Sequence, residues 1–143
     1  MNKIQSNAKK YLDSIAKIDK TIEALELEIE ELEALAGGMT AIRYDKEKVQ
    51  TSPADRMPDI LIKLVEVEKK LKAQYEELFS KKLQAYNIID SIDTEMQKSI
   101  IICHFFQDKK LMELTEIMHV SESTIYREYE KALEQFGLLM QVK

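Results

Sequence analysis

The amino-acid sequence predicts an all-α protein in which a long antiparallel helical hairpin is followed by a unit of three shorter helices. Apolar residues recur at alternating steps of three and four over residues 4–36, as they do in coiled-coil helices, and a second apolar side at helical spacing covers residues 61–89. Only three glycines and two prolines interrupt the 143 residues, which argues against a turn-rich β fold. We therefore divide the chain into a hairpin at residues 1–92 and a C-terminal domain at residues 93–143.

The first predicted helix covers the N-terminal segment up to Gly37-Gly38, because glycine readily takes the left-handed conformation that closes many helices. Residues 21–36 hold six glutamates and no basic residue, so we expect a basic helix to lie alongside. One sustained seam runs along this helix: Ile4, Ala8, Tyr11, Ile15, Ile18, Ile22, Leu25, Ile29, Leu32 and Ala36.

A connection at about residues 37–57 leads to the second predicted helix, which begins near Pro58 and ends near Asp90. In an antiparallel hairpin its lysine-rich start would lie beside the glutamates of the first helix. These lysines are Lys63, Lys69, Lys70 and Lys72. The apolar side of the helix comprises Leu61, Leu64, Val67 or Glu68, Leu71, Tyr75, Leu78, Ala85 and Ile89.

The hairpin is also predicted to dimerise, because two helices alone bury too little apolar surface. We expect a homodimer that forms a helical bundle. The hairpin can close within one chain or by exchange between two, and the sequence leaves both arrangements open. The residues assigned to dimerisation are the seam positions Ile15, Ile18, Ile22, Leu25, Ile29, Leu32, Leu64, Leu71 and Leu78.

The C-terminal domain begins at a helix boundary where Asp93 or Thr94 is placed to cap a third helix that ends near Phe106. This helix is more apolar than a surface helix needs, so we expect it to pack beneath the two helices that follow. The polar residues 107–110 then form a turn.

Residues 113–133 follow the pattern helix, tight turn, helix. Val120 falls in the turn, and Ser121 can cap the second helix because its side-chain oxygen accepts from a backbone N–H of the first turn. Two short helices joined by about three residues form a helix-turn-helix, whose second helix enters the major groove of DNA. The apolar stripes are Leu114, Ile117 and Met118 before the turn, and Ile125, Tyr129, Ala132 and Leu133 after it.

The same string resembles the helix-turn-helix of sigma factor region 4. Glu113-Leu114-Thr115 match the start of that motif, Val120-Ser121 the turn, Ser123-Thr124-Ile125 with Arg127 the recognition helix, and Ala132-Leu133 its end. Thr115 stands where the family usually has alanine. His119 stands where it usually has glycine, so we expect a left-handed backbone there despite the Cβ.

The likeness extends over most of the chain. A Glu-rich N-terminal helix, a Val-x-Thr-Ser-Pro string at residues 49–53, a second helix and the sigma-like unit together resemble small phage and prophage transcriptional regulators, among them activators of late genes. The resemblance implies a sequence-specific DNA-binding regulator of phage genes, with RNA polymerase as a further partner.

The recognition helix supplies the predicted contacts with double-stranded DNA. Its N-terminal side chains reach base edges, while hydroxyl and basic groups bind phosphates. Arg127 is the strongest candidate, since it alone can contact a guanine edge bidentately. Glu122 and Glu128 would repel phosphate unless they turn away. The full set is Ser121, Ser123, Thr124, Tyr126, Arg127 and Lys131.

A second interpretation is an interaction module whose C-terminal unit binds protein. Ser121 would then only cap its helix, and Arg127 would pair with Glu130 or Glu134 on the same helix. The formal net charge of −5 favours this alternative, because DNA-binding domains usually carry a basic surface. Dimerisation counters that objection, since two weak half-sites act at high effective concentration.

Other classes of function lack their sequence signals. The single cysteine suits a reducing cytoplasm, and no apolar run is long enough to span a membrane. His104 and His119 have no second ligand at metal spacing with Cys103, and no phosphate loop or nucleophile motif occurs. The sequence therefore predicts a soluble cytoplasmic protein without cofactor, metal, membrane contact or enzymatic activity.

Overall fold

The structure, a computed structural model, describes residues 1–45 and 56–142. Every regular element in these ranges is helical, which confirms the predicted fold class of a long hairpin followed by shorter helices. The elements are α1 (Lys3–Asp45), α2 (Met57–Asp90), α3 (Glu95–Ile101), a π-helical segment (Ile102–Phe106), α4 (Leu111–Met118) and α5 (Glu122–Val142).

Helix α1 continues past the predicted stop, so the assignment of its end to Gly37-Gly38 is wrong, as is the start of the connection at residue 37. A Cβ placed on Gly37 would meet no atom within 4 Å, and no glycine of the described ranges has a positive φ. An exposed glycine lowers helix stability by only about 1 kcal/mol, which a long helix tolerates. The string at residues 49–53 lies outside the described residues.

Helix α2 begins at Met57, one residue before the predicted start. Pro58 therefore lies in the first turn, where its missing N–H has no intrahelical acceptor to satisfy. At the next boundary, Thr94 occupies the predicted N-cap position of α3, but its side chain makes no capping hydrogen bond.

The chain forms two compact units, which are described separately. The first unit contains Met1–Ile18 and Leu78–Lys143, and the second contains Asp19–Glu77. The predicted boundary at residues 92 and 93 lies within the first unit, where the two ends of the hairpin share one core with all the shorter helices. That core consists of Ala8, Leu12, Ile15, Ala85, Ile88, Ile89, Ile92, Ile100, Ile101, Phe105, Leu114, Ile125, Tyr129, Ala132, Leu133 and Phe136.

In the first unit the start of α1 packs directly on α5. The Gln5 side-chain amide donates to the Glu130 backbone oxygen at 2.9 Å. Further along, Gly137 lies so close to Ile4 that an added Cβ would be 2.5 Å from the Ile4 Cγ2 and 2.5 Å from its carbonyl oxygen. Only glycine permits this approach of the two helices.

Polar contacts also join α1 to α2 in the first unit. The Tyr11 hydroxyl donates to the Lys81 backbone oxygen at 3.1 Å, and the Lys81 ammonium donates to the Ser14 hydroxyl at 3.2 Å. Burial raises the pKa of the Tyr11 hydroxyl above its ordinary value of 10.0.

In the second unit α1 and α2 bury Ile22, Ile60 and Val67, and the Tyr75 hydroxyl donates to the Glu26 carboxylate at 2.8 Å. Val67, rather than Glu68, is thus the inward residue of the two alternatives. Among the described residues, no glutamate of α1 forms the predicted ion pair with a lysine of α2. The prediction that Leu61 and Tyr75 lie on the apolar side is wrong, since both are exposed.

The residues predicted for dimerisation are divided by burial within the chain. Ile15, Ile18 and Ile22 are buried by the chain itself. The other six are half-buried: Leu25, Ile29, Leu32, Leu64, Leu71 and Leu78. The most deeply buried part of the seam therefore has no surface left for a second chain.

Candidate nucleic-acid interface

The connection between α4 and α5 has the backbone that the sequence predicts. His119 adopts the left-handed conformation, with φ 56° and ψ 45°. The N–H groups of His119 and Val120 both donate to the Thr115 carbonyl, and the second of these bonds measures 3.2 Å. This is a helix C-cap that is usually made by glycine. The expectation of a positive φ at His119 is confirmed.

Ser121 caps α5 as predicted. Its hydroxyl oxygen accepts from the Thr124 N–H at 3.3 Å, and its carbonyl accepts from the Ile125 N–H at 3.1 Å. The Ser121 hydroxyl also lies 2.9 Å from the Thr124 hydroxyl and 3.3 Å from the Ser123 hydroxyl. Capping and these hydroxyl contacts fix the first turn of α5, so its side chains are held in place before any ligand binds.

The opposite sides of α5 differ as a helix-turn-helix requires. One side is buried in the core of the first unit through Ile125, Tyr129, Ala132, Leu133 and Phe136. Of the side chains predicted to contact DNA, only Thr124 is half-buried, and the others are exposed: Ser121, Ser123, Tyr126, Arg127 and Lys131.

Arg127 and Lys131 are four residues apart and therefore share the exposed side of α5. Neither makes an ion pair within residues 1–45 and 56–142. The alternative in which Arg127 pairs with Glu130 or Glu134 is thus not formed. Both cations are available to an anionic partner.

Glu128 is turned away from this cationic surface by a residue that sequence reasoning missed. Its carboxylate accepts from the Gln97 side-chain amide of α3 at 3.0 Å, and Gln97 is only 4% exposed. The Gln97 side-chain amide oxygen, Oε1, is buried without a hydrogen-bond partner in the described residues. The sequence feature that could have indicated this residue is its spacing. Gln97 precedes Ile100 and Ile101 by three and four positions, so it lies on the side of its helix that is otherwise apolar.

Helix α4 presents an apolar surface that the periodicity did not predict. Leu114 is buried, but Ile117, from the same predicted stripe, is 51% exposed, and Met112 is also exposed. The first turn of α4 is fixed by the Glu113 carboxylate, which accepts from the Lys110 N–H at 2.8 Å.

Aromatic contacts hold α5 against the π-helical segment. The Tyr129 ring stacks on Phe105 with centroids 6.2 Å apart and meets the edge of His104 at 5.4 Å. Burial, and secondarily the charge of Asp13, raises the pKa of Tyr129 to about 12. The His104 ring nitrogen lies 2.7 Å from the Lys109 carbonyl. These groups are occupied in packing within the first unit.

No group of three or more potential metal ligands occurs in the described parts of the chain. Cys103 is a free, half-buried thiol. None of the helices in the described ranges combines the length and the apolar character that crossing a membrane requires.

Comparison with known proteins gives one family. A family model described as a protein of unknown function (DUF1492) matches residues 38–137, which includes α2 and most of the C-terminal helices. No curated protein and no solved structure matches the chain.

Proposed function

We propose that this chain, which belongs to the DUF1492 family, is a sequence-specific DNA-binding transcriptional regulator of phage or prophage genes that acts as a homodimer in the cytoplasm. The proposal gives α5 the role of recognition helix in the major groove. Through the resemblance to sigma region 4, RNA polymerase is proposed as a second partner.

The observation that carries the proposal is the unpaired cationic surface of α5 directly after a capped, left-handed turn. Arg127 lies in the second turn of α5, and N-terminal residues of a recognition helix are those that reach base edges. Lys131, one turn further, is placed for a phosphate. A merely structural arginine on an acidic chain would be expected to pair with one of the nearby carboxylates.

The position of Glu128 supports the same function. A carboxylate next to Arg127 would repel phosphates about as strongly as the arginine attracts them. Its hydrogen bond to buried Gln97 directs that charge toward α3. Glu122 keeps its exposed position at the start of α5, so the interface stays only weakly basic. A dimer with two such interfaces offsets this weakness.

The test is DNA binding by the intact protein, measured by fluorescence anisotropy as a function of salt. Duplexes enriched by the protein from a random-sequence pool serve as probes. Arg127→Ala should weaken binding to the enriched sequence by about 1–3 kcal/mol and relax the base preference at one position. Arg56→Ala, which removes an equal charge from an exposed position in the second unit, is the matched control and should bind like the wild type.

A second candidate function is protein binding by the helix-turn-helix unit. The exposed side chains of Met112, Ile117 and Tyr126 favour it, because apolar groups on a DNA-binding surface add little affinity for phosphates. If the intact protein enriches no sequence and binds no duplex even at low salt, DNA recognition is refuted and this second function takes its place.

A further inference from the structure

Helix α2 carries a second heptad seam on the side opposite its buried residues. Steps of three and four connect the eight positions of this outer seam: Ile62, Val65, Lys69, Lys72, Glu76, Phe79, Leu83 and Tyr86. Because α2 is one continuous helix, residues at this spacing share one face. All eight are exposed, whereas Val67 and Ala85 on the inner side are fully buried.

The apolar members of the outer seam are unusually exposed. Phe79 is 71% exposed and Ile62 is 60% exposed, and Val65 and Leu83 are each about half exposed. A single exposed apolar residue needs no explanation. Four at heptad positions on one helix do, since an apolar stripe of this period is the surface with which coiled-coil helices pair. The fifth, Tyr86, is 40% exposed and also packs against Phe106, with ring centroids 5.2 Å apart.

We propose that two copies of the chain dimerise through this outer seam, with their α2 helices antiparallel. In an antiparallel coiled coil, an a position of one helix lies opposite a d position of the other. The residue numbers of two opposite positions therefore add up to the same value along the whole pair. A two-fold axis near Gln74 gives that pairing here. Ile62 then meets Tyr86 of the second copy, and Val65 meets its Leu83. The apolar ends of each seam thereby cover one another.

The charged centre of the seam selects this arrangement. Around the axis, Lys72 of each copy meets Glu76 of the other, which forms two symmetric ion pairs. Lys69 meets Phe79 of the second copy, where the ammonium can lie over the ring. In a parallel pairing of the same register, Lys69 would instead meet Lys69 of the second copy, Lys72 would meet Lys72, and Glu76 would meet Glu76. Like charges at such positions are destabilising, so charge complementarity favours the antiparallel dimer.

This interface differs from the seam to which the sequence assigned dimerisation. The predicted dimerisation residues Ile15, Ile18 and Ile22 of α1 are buried within the chain instead. The inference rests on the proposed function only for the homodimer, to which it assigns an interface. Self-association is measured without DNA. A dimer through the outer seam and failure to bind DNA are thus separable results.

Charge reversal at the two central positions tests the inference on exposed side chains, where folding should be unaffected. Lys72→Glu places four glutamates around the axis, and Glu76→Lys places four lysines there. Each variant should weaken the dimer about ten- to a hundredfold, as expected when two exposed ion pairs become two repulsive ones. Sedimentation velocity over a range of protein concentrations measures this change. Lys70→Glu makes the same charge change off the seam and should self-associate like the wild type.

Mixing the two weakened variants gives the sharpest result. A heterodimer of Lys72→Glu with Glu76→Lys has two attractive pairs and should form with near wild-type affinity. The double variant, Lys72→Glu with Glu76→Lys in one chain, should also dimerise again. A monomeric wild type overturns the inference, as does a Lys72→Glu dimer of unchanged affinity, or two weakened variants that fail to associate when mixed. Circular dichroism confirms that each variant is folded.

Discussion

The contact between α1 and α5 predicts opposite effects for one and the same substitution at two glycines. In Gly137→Ala the new Cβ would lie 2.5 Å from both the Cγ2 and the carbonyl oxygen of Ile4. The Ile4 side chain can rotate away, but its carbonyl oxygen belongs to the backbone of α1. The start of α1 must therefore move from α5, although Gln5 holds it there by the bond to the Glu130 carbonyl. In Gly37→Ala the Cβ meets nothing within 4 Å.

The magnitude follows from two terms. Alanine gains about 1 kcal/mol over glycine in a helix, and both glycines are in helices. Overpacking a close contact costs about 1–3 kcal/mol, and a clash with backbone belongs at the upper end of that range. We therefore expect Gly137→Ala to lower the free energy of unfolding by about 2 kcal/mol, and Gly37→Ala to raise it by about 1 kcal/mol.

Urea unfolding followed by far-UV circular dichroism measures both variants, at one protein concentration so that any dimer contributes equally. Hydrogen exchange of the Gln5 region reports the local consequence, since its amides should lose protection in Gly137→Ala alone. Equal stabilisation by the two substitutions would refute the reasoning, because it would mean that α1 does not approach α5 at Gly137.

Two further predictions concern the groups around α5. Tyr129 has a pKa raised from 10.0 to about 12. Its neutral form therefore stabilises the fold below pH 10, and that contribution is lost as the pH rises toward 12. Above pH 10 the melting temperature should fall less steeply with pH for Tyr129→Phe than for the wild type. Gln97→Met should release Glu128 toward the DNA and weaken binding at low salt by about two- to fourfold, the effect of one carboxylate about 7 Å from a phosphate in water. The same change should have no effect on binding in a Glu128→Gln background, whereas a loss that persists there would indicate a structural role for Gln97.

Local features of the fold were predictable from the sequence because neighbouring residues determine them. The cap at Ser121 and the left-handed turn at His119 depend on side-chain chemistry within a few positions. The buried stripe of α5 follows from its period. These are also the features that form the candidate interface, so its local backbone geometry follows from the sequence.

Contacts between distant parts of the chain were not predictable in this way. Gln5 and Glu130 are separated by 125 positions, and no periodicity relates them. The close approach at Gly137 likewise depends on the backbone of another helix. Gln97 lies on an apolar side of its helix, but its contact with Glu128, 31 positions away, depends on how α3 packs against α5. The end of α1 was misplaced for a different reason: two glycines weaken a helix, but its neighbouring turns can still continue through them.

The two seams of α2 explain why the predicted dimer and the proposed one use different residues. A heptad repeat predicts that a helix pairs, but it contains no information about whether the partner is in the same chain. On α2 the inner repeat is mostly apolar and therefore predicts the pairing, while the outer repeat is interrupted at Lys69, Lys72 and Glu76 and has the composition of a solvated face. Once the inner repeat is occupied within the hairpin, the interrupted one is the surface that remains. The charged residues at the centre of the outer repeat would then specify register and orientation, as polar residues within a coiled-coil seam do at some cost in stability. An antiparallel α2 pair would carry two recognition helices, and a doubled interface is what so weakly basic a surface needs in order to hold DNA.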